Sequence, residues 1–144
     1  MSEPDVPAAA DGNRNRAHPE VRFAPPQHEI DLRAIARELA TEPASRGGRR
    51  QRALYRHGRL TVALFTFDAG GGLPDHVAAG VVTINVLDGR LRVIAGGTEH
   101  DLPVGRLLVL APGVRHDVSA PEASTMLLQV YLDDAAVADR ATKQ

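Results

Sequence analysis

The spacing of apolar residues along this 144-residue chain is helical from Ile30 to Ala40 and strand-like from Arg52 onward. Leu32, Ile35 and Leu39 recur at three- and four-residue intervals, Asp31 stands where it can cap a first turn, and Pro43 ends the pattern, which predicts a short amphipathic helix over residues 30–41. Beyond it the chain reads as strands over 52–56 and 59–68 around a His57-Gly58 turn, over 81–87 and 90–95, over 100–102, over 106–110 and over 124–132. Turn residues recur about every 8 to 12 positions, the spacing of an antiparallel sandwich or barrel. Asp88-Gly89 predicts a two-residue hairpin between the strands that flank it, because both central positions tolerate positive φ. Leu107-Leu108-Val109-Leu110 and Met126-Leu127-Leu128 do not alternate, so their outward faces need cover from a neighbouring element, the helix or a second subunit.

Composition narrows the class. The hydrophobic share is 43%, aromatics make up only 3%, and Trp is absent, so the core is aliphatic and little is available to stack on bases or sugars. Seventeen basic and 18 acidic residues leave a formal net charge of -1, which favours neither nucleic acid nor an anionic membrane. With no cysteine, disulfides, thiolate metal sites and cysteine nucleophiles are excluded. Residues 1–28 carry Pro4, Pro7, Pro19, Pro25 and Pro26 with few large apolar side chains, the composition of a disordered or extended tail. They contain no apolar signal segment, and no apolar run approaches the roughly 18 residues of a membrane span, which predicts a cytoplasmic protein. The domain is expected over residues 29–132, followed by a charged, alanine-rich tail over 133–144.

Two histidines carry the chemistry. His76 lies six residues after Gly70 and is followed by Ala78, Val82 and Gly89; His116 lies eleven after Gly105 and follows Ala111-Pro112-Gly113. These stretches resemble the two motifs of the cupin superfamily, Gly-x5-His-x-His-x3-Glu-x6-Gly and Gly-x5-Pro-x-Gly-x2-His. Ala78 stands where the family has its second histidine and Val82 where it has glutamate. Arg106 replaces the aspartate that usually follows the glycine of the second motif, and Pro112 is shifted by one. The resemblance, which spans roughly residues 52–132, implies an all-β, cupin-type antiparallel β-barrel (jelly roll), commonly a homodimer. It also implies that His76 and His116 are the metal ligands that remain of a set of four. Family members include metal-dependent dioxygenases, isomerases and decarboxylases, epimerases that lack metal, and non-catalytic ligand sensors, so fold does not stand in for function.

Strand alternation places His76, Ala78, Val82 and Ile84 on one face and Asp75 and Val77 on the other, while His116 shares a face with Val118. The expected ligand pocket is therefore His76, Ala78, Val82, Ile84, His116 and Val118. Catalytic zinc usually takes three protein ligands and non-haem iron two histidines with a carboxylate. Two neutral imidazoles would hold Fe, Mn, Cu or Zn only weakly, and a third donor would have to come from Gln129, Tyr131 or His100. If no metal is held, the pair is left to orient a ligand or to act as acid and base. The first expectation is a small-molecule-binding barrel; the alternative is a metal-dependent enzyme acting on a small organic substrate, with His76 and His116 as its catalytic candidates. His18, His28 and His57 are expected to be exposed and unconnected with the site. Six arginines between Arg46 and Arg59, with no acidic residue among them, read either as a phosphate-contacting patch or as a solvated edge strand, and without a helix-turn-helix or interleaved aromatics the second is favoured.

Overall fold

The computed structural model describes residues 26–133, so the tails expected over 1–28 and 133–144, and His18 with them, lie outside the described residues except at 26–28 and 133. Helix α1 (Leu32–Ala40) starts where capping chemistry allows: Asp31 Oδ1 accepts a hydrogen bond from the Ala34 N–H at 3.0 Å, satisfying one of the donors a first turn leaves orphaned. Its stripe ends at Leu39, which is fully buried. Nine strands follow: β1 (Arg49–His57), β2 (Leu60–Phe67), β3 (Gly72–His76), β4 (Gly80–Asp88), β5 (Arg90–Ala95), β6 (Thr98–Pro103), β7 (Leu107–Leu110), β8 (His116–Ser119) and β9 (Ser124–Leu132). No helix among the described residues is long and apolar enough to cross a membrane.

The strands form two antiparallel sheets, one of five strands in the order β1-β2-β9-β4-β7 and one of four in the order β3-β8-β5-β6. Their inner faces share one aliphatic core in which Ile84, Leu91, Val93 and Met126 are fully buried. Each such side chain contributes about 1.5–3 kcal/mol by leaving water. Gly96 and Gly97, at φ +55° and +84°, close the β5–β6 hairpin.

The hairpin expected at Asp88-Gly89 does not form. β4 pairs with β7 and β9 in the large sheet and β5 with β6 and β8 in the small one, so Gly89 is a corner where the chain changes sheet. It sits at φ +83°, and a Cβ there would stand 2.3 Å from the Ala123 carbonyl oxygen, so only glycine passes. Ser124 holds the corner: its hydroxyl accepts from Arg90 N–H at 3.0 Å and lies 2.9 and 2.8 Å from the Arg90 and Glu122 carbonyl oxygens, one of which takes its proton.

The arginine cluster is structural where its partners are seen. β1 is a sheet edge, Arg49 donates to the Gly72 carbonyl at 3.0 Å, Arg50 pairs with Asp68 at 2.9 Å, and Arg52 reaches Glu38 at 2.7 Å and Glu42 at 2.8 Å. The hydrogen bond to Glu38, with Glu42 adding to it, holds the Arg52 guanidinium above its ordinary pKa. Arg52 thereby ties α1 to the outer side of β1 and β2.

Candidate functional site

β3 and β8 are neighbours in the small sheet, and their register sets His76 directly opposite His116. The strand alternation that put His76 on one face with Ala78, Val82 and Ile84 is corrected here: β3 ends at His76, and the chain crosses at 77–79 to begin β4 in the other sheet. The crossing is held by backbone, with Gly113 N–H donating to the Ala78 carbonyl at 3.0 Å, which also ties the two motif loops together. Pro74, with no N–H to offer a ladder, lies on this edge strand inside a register shift between Leu73 and His76 that re-aims the histidine.

The two imidazole centroids are 4.2 Å apart with the rings inclined at 61°, an edge-to-face contact. Both rings are anchored alike. His76 Nδ1 lies 3.0 Å from the Pro74 carbonyl oxygen and His116 Nδ1 3.0 Å from that of Val114, in each case two residues back. A carbonyl only accepts, so each Nδ1 carries a proton, and in the matching neutral tautomer Nε2 is the acceptor. Among the described residues the one fully buried side-chain polar atom without a partner is Thr66 Oγ1, beneath α1. The Nε2 atoms are therefore not sealed in the core, although His116 as a residue is only 2% exposed. His76 is half-buried.

Val82, Ile84 and Val118 point inward as expected and pack into the common core at 2%, 0% and 4% exposure, while the half-buried Ala78 packs against its edge. Asp75 and Val77 face away, Asp75 pairing with Arg115 at 3.0 Å. The three candidate third donors do not join the pair. Gln129 and Tyr131 alternate with the inward Leu128 and Val130, so they lie on the outer face, where Thr83 Oγ1 donates to Gln129 Oε1 at 3.1 Å and Tyr131 is exposed. His100 stands opposite Val93 on β6, two strands from β8 and one pleat repeat out of register with His116, about 10 Å across and 7 Å along. No group of three or more His, Cys, Asp or Glu side chains fit to hold a metal occurs among the described residues.

No protein-family model matches the chain, and no curated protein does. Solved structures do match. A conserved protein of unknown function from Streptococcus pyogenes aligns over 84% of this chain and 99% of its own at 20% identity and a TM-score of 0.62. A cupin superfamily protein from Desulfitobacterium hafniense aligns over 78% and 98%, at 18% identity and a TM-score of 0.62. The chain has the cupin β-barrel fold. A variant of the salicylate 1,2-dioxygenase from Pseudoaminobacter salicylatoxidans shares the fold at a TM-score of 0.64 and 16% identity, over 78% of this chain and 36% of that one.

Measured against the ligand set of the cupin motif, the residues present do not fit a resident catalytic metal. Two imidazoles remain, aliphatic side chains take the other two places, and among the described residues no carboxylate or third imidazole joins them. One side-chain grouping escaped the sequence pattern altogether. His28 meets the Tyr55 ring edge-on at 5.9 Å and His57 lies nearly parallel to it at 6.4 Å. The i, i+2 spacing of Tyr55 and His57 on one strand signals their shared face; His28 arrives only through the path of the segment before α1.

Proposed function

We propose that this cupin barrel binds a small organic molecule at the His76–His116 pair, with Ala78 beside it and Val82, Ile84 and Val118 as the apolar backing. What supports this reading is the contact of the two rings at 4.2 Å, each with its Nδ1 at a carbonyl two residues back, which leaves an Nε2 acceptor on each of two adjoining rings. Two acceptors side by side select a group that donates, a hydroxyl or an N–H, and the aliphatic surroundings select a short apolar body. A site built to accept such a hydrogen bond discriminates against an analogue that lacks the donor, because an acceptor is then left unpaired.

Calorimetric titration with salicylate, phenol and short-chain hydroxy acids, each beside its analogue without the hydroxyl, tests the reading. We expect the hydroxylated member of at least one pair to bind, and His76→Ala to weaken it about tenfold or more, the size of one lost hydrogen bond in a desolvated site. Affinity unchanged in both His76→Ala and His116→Ala, or no preference for the hydroxylated partner, would overturn it.

A further inference from the structure

Arg50, Thr66, Thr125 and Asp88 stand side by side across β1, β2, β9 and β4. Phe65, Phe67 and Met126, the chain neighbours of the two threonines, point into the core, so this polar row lies on the outer face of the large sheet, where α1 packs on β1 and β2. Above the row the helix sets Ala36 and Ala40, one turn apart, and their small side chains leave it unfilled. Two adjoining hollows result, one of about 320 Å³ over the row and one of about 470 Å³ that continues past Leu32, Arg33 and Leu87. Ala36, Arg37, Asp88 and Thr125 line both.

Two features of this cleft are left unsatisfied by the fold. Thr66 is only 7% exposed and its Oγ1 is buried with no hydrogen-bond partner, so it has given up its bonds to water for none in the protein. One χ1 step exchanges the directions of a threonine's methyl and hydroxyl, which brings this hydroxyl within reach of a group lodged over the row. Arg37 on the helix and Asp88 on the sheet line the hollows from opposite walls, yet no ion pair joins them, and among the described residues neither side chain, nor that of Arg33, has a partner.

Charges elsewhere on the sheets are matched. On the outer face of the small sheet Arg90 pairs with Asp101 at 3.1 Å, Arg92 with Glu99 at 2.9 Å and Arg115 with Asp75 at 3.0 Å. At the far end of the polar row Arg50 is engaged by Asp68 and by the Glu42 carbonyl. β4 and β9 carry no charged residue except Asp88, so the outer face they form is uncharged up to the cleft.

We propose that the cleft between α1 and the ends of β4 and β9 binds a small zwitterion with a short apolar body, the chemistry of a free aliphatic amino acid. Arg37, with Arg33 one turn before it, takes the carboxylate, Asp88 takes the ammonium group, and Leu32, Ala36 and Leu87 meet the apolar side chain. Opposite charges on facing walls select for both ends at once: Asp88 repels a simple anion, and the arginines repel a simple amine. The hollow is of the size that small-molecule sites have. It lies outside the barrel, so its occupant is independent of the ligand proposed for the His76–His116 pair.

Calorimetric titration of the full chain with leucine tests the proposal, beside N-acetylleucine, which lacks the ammonium group, and leucinamide, which lacks the carboxylate. Leucine is expected to bind with a dissociation constant of about a millimolar or below, and each analogue at least about tenfold more weakly. Arg37→Gln is expected to abolish the advantage of leucine over leucinamide, and Asp88→Asn its advantage over N-acetylleucine. Both side chains are exposed, so both variants are expected to melt as the wild type does. His76→Ala is expected to leave leucine binding unchanged, which separates this site from the barrel. No heat of binding with leucine up to about 10 mM overturns the proposal. So does leucine binding that is lost in His76→Ala, that both Arg37→Gln and Asp88→Asn leave intact, or that the two analogues match.

Discussion

Two adjacent rows on the inner surface of the small sheet do opposite things. In one, His100, Val93, Val118 and Leu73 stand side by side across β6, β5, β8 and β3; in the next, Thr98, Ala95, His116 and His76 do. At the centre of the first, Val93 and Val118 are sealed into the core. The second ends in two imidazoles whose anchored Nδ1 atoms leave their other nitrogens unoccupied. One pleat repeat, about 7 Å along the strands, thus separates a row that only stabilises from the one in which the proposed ligand-binding pair lies.

The largest effect that sharpens this contrast is expected on the sealed side. Ile84→Ala removes a fully buried side chain facing those rows and should cost about 2–5 kcal/mol, read from the urea midpoint at unchanged slope; a cost below about 1 kcal/mol would mean the interior is not close-packed there. A second variant breaks the contrast from the other direction. Completing the motif with Ala78→His and Val82→Glu together puts donors at all four motif positions, and Zn2+ titration should then show affinity at least about a hundredfold above wild type. Val82→Glu alone should instead unfold more readily, since it leaves a carboxylate in the core without a partner. The smallest effect belongs to the histidine row: His76→Ala loses one hydrogen bond to Pro74 from a half-buried ring and should shift stability by only about 0.5–1.5 kcal/mol, measured in the same denaturation experiment.

Much of the fold was legible in local patterns. Asp31 caps its helix as read, the final strand spans Ser124–Leu132 as read, and Gly96-Gly97 turns a hairpin, since each depends on residues within a few positions of one another. Asp88-Gly89 was misread because its dipeptide states only that positive φ is tolerated. Whether the next strand folds back or leaves the sheet is decided by what stands against Gly89, here the Ala123 carbonyl and the Ser124 hydroxyl. The third-donor candidates failed for a similar reason. Gln129 and Tyr131 had the right chemistry in the right strand, but the inward parity of Leu128 and Val130 turns them outside.

What the chain determined by itself is most of the strands, though not the bounds of the two that carry the histidines, the aliphatic interior and the two histidines after their glycine loops, all consequences of side-chain period and turn chemistry. Only the tertiary structure decided that β3 and β8 lie side by side in register, that both rings are pinned by carbonyls two residues back, and that one sheet face carries ion pairs while part of the other carries no charge. These are relations between residues tens of positions apart, and they exist once strand pairing has chosen which rows of side chains meet.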